Sequence, residues 1–129
     1  MASEEKRIRS AKGLRTVERV RNLTEDLPEV TEAVDKFGHT SFLVRDKPFI
    51  MMGEGNQGPS MAIKTTLDKQ RNLIEQGDFV RTKYIGQHGW VSLDRLPLTK
   101  WDKIEHLIAE AYVLVAPKSL GKKISTTQE

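Results

Sequence analysis

Apolar residues along this chain recur at helical spacing near both ends and at alternate positions between them. Over residues 13–27, Val17, Val20, Thr24 and Leu27 fall on one side of a helix, and Arg15, Arg19, Asn22 and Asp26 on the other. Pro28 ends that helix, because it has no N–H to give and its ring clashes with the preceding turn. Residues 31–37 predict a first strand, broken at Gly38. Phe42 and Val44 alternate with Ser41 and Arg45, the period of a half-buried strand. Residues 40–45 and 48–52 therefore predict two strands joined by a tight turn at Asp46-Lys47. A glycine-rich loop over residues 53–59 leads to a further strand, Met61-Ala-Ile-Lys64.

Thr65-Thr-Leu-Asp68 has the form of a capping box, so a helix is expected over residues 67–76, stopped by Gly77 in the left-handed conformation. Residues 79–84 read as extended or irregular, and Gly86-Gln-His-Gly89 as a turn into a strand over residues 90–93. Thr99-Lys-Trp-Asp102 is a second Thr-x-x-acid cap. The helix it opens carries Trp101, Ile104, Ile108, Ala111, Tyr112 and Val115 in one apolar stripe, and Pro117 ends it. The order helix, strands, helix, strand, helix is α+β rather than alternating βαβ, with no internal repeat. The expected layout is a charged flexible lead-in over 1–12, a single domain over 13–117 and a flexible tail over 118–129.

At 129 residues one domain is the size expectation. No apolar run approaches the roughly 20 residues of a membrane helix, and the first residues lack the apolar core of a secretory signal. With no cysteine, disulfides, thiol catalysis and zinc–cysteine sites are excluded. A bacterial, cytoplasmic protein is the resulting expectation, without membrane association and either monomeric or a weak homodimer through an edge strand. The net charge of +3 is arranged in blocks. Residues 1–21 hold seven Lys/Arg against three Glu, residues 22–37 five acids against Lys36, and residues 59–91 five basic groups against three acids. That distribution is compatible with nucleic-acid binding without demanding it.

Gly53-x-Gly55-x-x-Gly58 matches the dinucleotide fingerprint by letter. That chemistry needs a helix N-terminus immediately afterwards to receive the pyrophosphate, and Pro59 with an extended segment follows instead. The nucleotide reading is rejected, and no cofactor is expected. His39, His88 and His106 are far apart in sequence and form no metal-ligand spacing, so no metal site is expected either. No nucleophile motif and no acid pair stands out, which leaves no catalytic residue to name. Arg45 and Lys47 stand at a predicted hairpin tip, where cations can reach phosphates or keep an edge soluble. Lys64 ends a strand just before a helix, a position suited to holding an anion, and Arg81 and Lys83 alternate so as to extend a basic strip towards it. His88 sits beside Trp90 in a glycine-flanked turn. Tyr84 and Trp90 are candidate stacking faces, although a chain with 6% aromatics is expected to keep its large rings in the core.

Four segments, Gly38-His-Thr-Ser-Phe42, Met61-Ala-Ile-Lys64, His88-Gly-Trp-Val-Ser92 and Glu110-Ala-Tyr-Val-Leu-Val-Ala116, occur in an order and spacing that resembles the MmcQ/YjbR family. The resemblance spans residues 13–118. It implies a frataxin-like α+β domain, with helices packed on one face of an antiparallel sheet, and the "double-wing" arrangement for which the family is described as a candidate DNA-binding group. Lys64 matches the lysine that ends the family's central strand, and Trp90 and Tyr112 match its aromatic positions. Ala111 stands where members often carry serine, and the loop over residues 53–59 is polar rather than densely basic; both depart from the pattern.

The expected function is weak DNA binding through phosphate contacts from Arg45, Lys47, Lys64, Arg81 and Lys83, with His88 beside them and Tyr84 and Trp90 as aromatic lining. The alternative is a small anionic ligand or drug held in a pocket near Lys64 and Trp90. An enzyme acting on a phosphorylated metabolite, with His88 as its acid or base, comes third.

Overall fold

Residues 5–93 and 101–120 are described by the structure, a computed structural model. Six strands form one antiparallel sheet in the order β1-β2-β3-β4-β6-β5. They are β1 (Val30–Val34), β2 (Thr40–Val44), β3 (Lys47–Gly55), β4 (Gly58–Lys64), β5 (Phe79–Arg81) and β6 (Trp90–Leu93). The helices are α1 (Ala11–Thr24), α2 (Leu67–Gln76) and α3 (Trp101–Val115). Met61 and Ile63 of β4 face the helices, together with Phe42, Ile50, Met52, Val91 and Leu93. They form one cluster with Val17 and Val20 of α1, Leu73 of α2, and Ile104, Leu107, Ile108, Ala111 and Tyr112 of α3. The expected α+β architecture, helices on one face of an antiparallel sheet, is thus the one observed.

Local chemistry explains most of the element boundaries. Ser10 caps α1 by accepting from Gly13 N–H, so the helix begins two residues earlier than its apolar stripe indicates. A register shift between Phe42 and Leu43 leaves Phe49 as an extra residue in β3. That bulge lets the consecutive residues Phe49 and Ile50 both join the one core cluster, where the alternation of a regular strand would turn one of them to the other face. Phe49 then meets Tyr112 edge to face at 5.8 Å, and the Tyr112 hydroxyl donates to the Pro28 carbonyl at 2.7 Å. Arg19 lies over Trp101 at 4.8 Å, and Leu23 and Leu27 share a cleft with Glu105 and Ile108, so α1 and α3 run parallel.

Several sequence expectations are corrected. The β2–β3 turn is formed by Arg45 and Asp46, both at positive φ (47° and 71°), rather than by Asp46-Lys47. This is the two-residue geometry whose twist matches the flanking strands. The glycine-rich stretch is itself paired: β3 runs through Gly55, and Gly55 faces Gly58 across the turn at Asn56-Gln57. Thr66, not Thr65, caps α2 by accepting from Lys69 N–H, while Gly77 supplies the left-handed stop as expected. The segment expected to be a loose lead-in is packed. Lys6 N–H donates to the Phe37 carbonyl, the Lys6 carbonyl accepts from Glu54 N–H, and Ile8 is buried in the core. Leu120 is buried too, within the stretch expected to be tail. The Thr99 cap and residues 121–129 lie outside the described residues.

Candidate nucleic-acid interface

The antiparallel order brings one end of the sheet into use. β2 ends at Val44, β3 begins at Lys47, β4 ends at Lys64, β5 ends at Arg81 and β6 begins at Trp90. Val44 pairs with Lys47, and Lys64 pairs with Trp90. The hairpin tip, the end of β4, the start of α2 and the segment of residues 82–89 therefore all gather at this end. The residues expected to contact phosphate or line the site, Arg45, Lys47, Lys64, Arg81, Lys83, Tyr84, His88 and Trp90, are there, but in quite different states.

Arg45 is committed to an acid. Its guanidinium makes two hydrogen bonds to the Glu29 carboxylate, at 2.8 and 3.0 Å, across the β1–β2 pairing. With Asp46 beside Lys47, two cations and two acids share this corner, and it carries little net charge. Lys64 donates through Nζ to the His88 carbonyl, which ties the end of β4 to the turn before β6. Arg81 does not alternate with Lys83 along one strip, as the sequence suggested, because β5 stops at Arg81 and the chain turns over residues 83–85. The Arg81 stem lies on Gly86, where a methyl group would stand 2.3 Å from Arg81 Cγ. Lys83 is exposed, as is His88 in the 3-10 turn Gly86–His88.

The two aromatics separate. Trp90 is 6% exposed and stands outside the main core cluster, on the sheet face away from the helices. Tyr84 is 90% exposed, so the expectation of core packing fails for it. Buried Trp90 and projecting Tyr84 do not share a pocket lining. Two clefts lined by described residues lie elsewhere. One of about 420 Å³ separates α1 from α3, and one of about 160 Å³ borders Lys6, Arg9 and Glu54.

What holds residues 82–89 in place was missed from the sequence. Gln70, buried on α2, donates through Nε2 to the carbonyls of Gly86 (2.7 Å) and Trp90 (2.9 Å). Thr65 donates its N–H and its hydroxyl to the Gly89 carbonyl, at 3.1 and 2.5 Å. Gly89 has φ +96°, and a Cβ there would lie 2.0 Å from the Thr65 carbonyl oxygen, so only glycine fits. The available signal was Gln70 itself, a polar residue three positions before Leu73 on the buried stripe of a helix. Among the described residues no group of three or more His, Asp or Glu could hold a metal, and no helix is long and apolar enough to cross a membrane.

Comparison with known proteins bears on the fold and the family. The crystal structure of Deinococcus radiodurans protein DR2400, of the family-model domain DUF419, superposes with a TM-score of 0.64 at 16% identity, over 77% of each chain. At that identity the likeness is one of fold. No curated protein matches. The family model YjbR matches residues 25–114, from the end of α1 to the last turn of α3, and the chain accordingly belongs to the YjbR family.

Proposed function

We propose that the protein binds nucleic acid weakly through phosphate contacts made at this end of the sheet, chiefly by Lys83, Arg81 and Lys64, with Lys47 at the margin. The observation that carries the reading is a charge imbalance. Residues 79–93 contain Arg81 and Lys83 and no acid, and β4 delivers Lys64 alongside them. Arg45 drops out of the contact set because Glu29 already neutralises it. Lys64 has spent one of its three N–H donors on the His88 carbonyl and retains two for an anion. Contacts of this kind give sequence-independent affinity, typically a Kd of about 10⁻⁴–10⁻⁶ M at physiological salt.

The test is fluorescence anisotropy of labelled 20-mers against the purified protein at several salt concentrations. Binding is expected to fall steeply with salt, and Lys83→Ala is expected to weaken every sequence alike and reduce the log–log salt slope by roughly one unit. Absence of binding at low salt would remove the proposal. A slope unchanged in Lys83→Ala would remove Lys83 from it.

A further inference from the structure

We infer that Tyr84 is a stacking platform for an unpaired base, so that the phosphate-binding end selects single-stranded over duplex nucleic acid; the inference rests on the phosphate-contact reading above. An exposed tyrosine is ordinary by itself. Here two features coincide. The ring is 90% exposed, and the backbone beneath it has φ +70°. Ile85 N–H donates to the Lys83 carbonyl at 2.8 Å, so Tyr84 is the apex of a three-residue γ-turn of the rare, strained, positive-φ kind. A non-glycine residue in such a conformation is strained, and strain of this sort concentrates where chains bind ligands. Tyr84 thus carries a conformational cost while its ring gains no burial.

The base of the turn is firm. Gln70 and Thr65 fix the carbonyls of Gly86, Gly89 and Trp90 with buried hydrogen bonds, and Lys64 fixes that of His88. A ring presented from an ordered frame loses little freedom on contact, which favours binding. Lys83 precedes it directly, and Arg81 and Lys64 lie at the adjoining strand ends. An aromatic face beside backbone-tracking cations is the arrangement used for single strands, whose bases offer free π-faces. In a duplex those faces are already stacked, which leaves only the phosphates to bind.

The experiment compares a labelled dT 20-mer, the equivalent rU 20-mer and a 20-base-pair duplex, against wild-type protein, Tyr84→Ala and Tyr84→Phe. Expected are tighter binding of the single strands by wild-type protein and a loss of roughly 5- to 150-fold for them in Tyr84→Ala. Duplex affinity should stay unchanged in Tyr84→Ala, and Tyr84→Phe should bind like wild-type. Equal, salt-sensitive binding of all three probes that ignores Tyr84→Ala would overturn the stacking inference and leave the phosphate reading standing. No salt-sensitive binding of any probe would overturn both. A preference between dT and rU, with the loss in Tyr84→Ala retained, would assign the sugar and uphold the stack.

Discussion

Glu54 Oε1 accepts three hydrogen bonds at the N-terminal end of α1, from Arg9 N–H (3.2 Å), Ser10 N–H (3.1 Å) and the Ser10 hydroxyl (2.9 Å). Burial works to raise its pKa, but the bonds from Ser10 and Arg9 together outweigh burial and hold the carboxyl below its ordinary value. A folded-state value below the unfolded one means the stabilisation is complete above about pH 4.3, the unfolded value for glutamate. It is lost as the pH falls through the lowered folded value. Glu54→Gln is therefore expected to unfold at lower urea than wild-type at pH 7, by about 1–2 kcal/mol in stability, with a smaller gap at pH 3. A gap of equal size at both pH values would show that ionisation of Glu54 is not the source. Close packing also marks this corner: a methyl at residue 13 would stand 2.7 Å from Glu54 Oε1 and would have to displace that carboxylate.

At the scale of elements, the loop of residues 82–89 is a dependent of α2. Gln70→Ala removes one donor each from the carbonyls of Gly86 and Trp90, which keep the N–H groups of Gly89 (3.0 Å) and Thr82 (3.3 Å), so each lost hydrogen bond costs about 1 kcal/mol. The expected outcome is a loss of about 2 kcal/mol, with faster amide exchange across residues 82–90 than across β2 and β3. Uniform acceleration over the whole sheet would argue against a local clasp. α2 was legible in the sequence almost to the residue, since a threonine cap, a polar helix and a stopping glycine are local signals. The Glu29–Arg45 pair was not, because it depends on β1 and β2 lying side by side across 16 residues of sequence. Nor was the γ-turn at Tyr84, since nothing in the letter Tyr announces a positive φ. The strand in the glycine-rich stretch was hidden for a related reason: Gly53 looks like a loop residue, yet a Cβ there would stand 2.9 Å from His39 Cδ2 and 3.3 Å from Lys6.

Over the whole molecule, both ends of the described chain are drawn into the core: Ile8 and Leu120 join the cluster that the sheet and helices share. Deleting residues 1–9 removes Ile8, two hydrogen bonds of Lys6 and one donor to Glu54. Burial of an isoleucine is worth about 2 kcal/mol and each hydrogen bond about 1 kcal/mol, so a fall in Tm on the order of 10 °C is expected by calorimetry. An unchanged Tm would mean that the segment contributes nothing to stability. The carbonyls of residues 86, 88, 89 and 90 are all spent on donors from residues 64–70, whereas the side chains of Lys83, Tyr84, Gln87 and His88 all reach solvent. Support and presentation are thus written in separate parts of the chain. Relatives that keep the donor stretch can exchange those four outward residues independently, so two proteins of one fold can differ in ligand while their frames stay interchangeable.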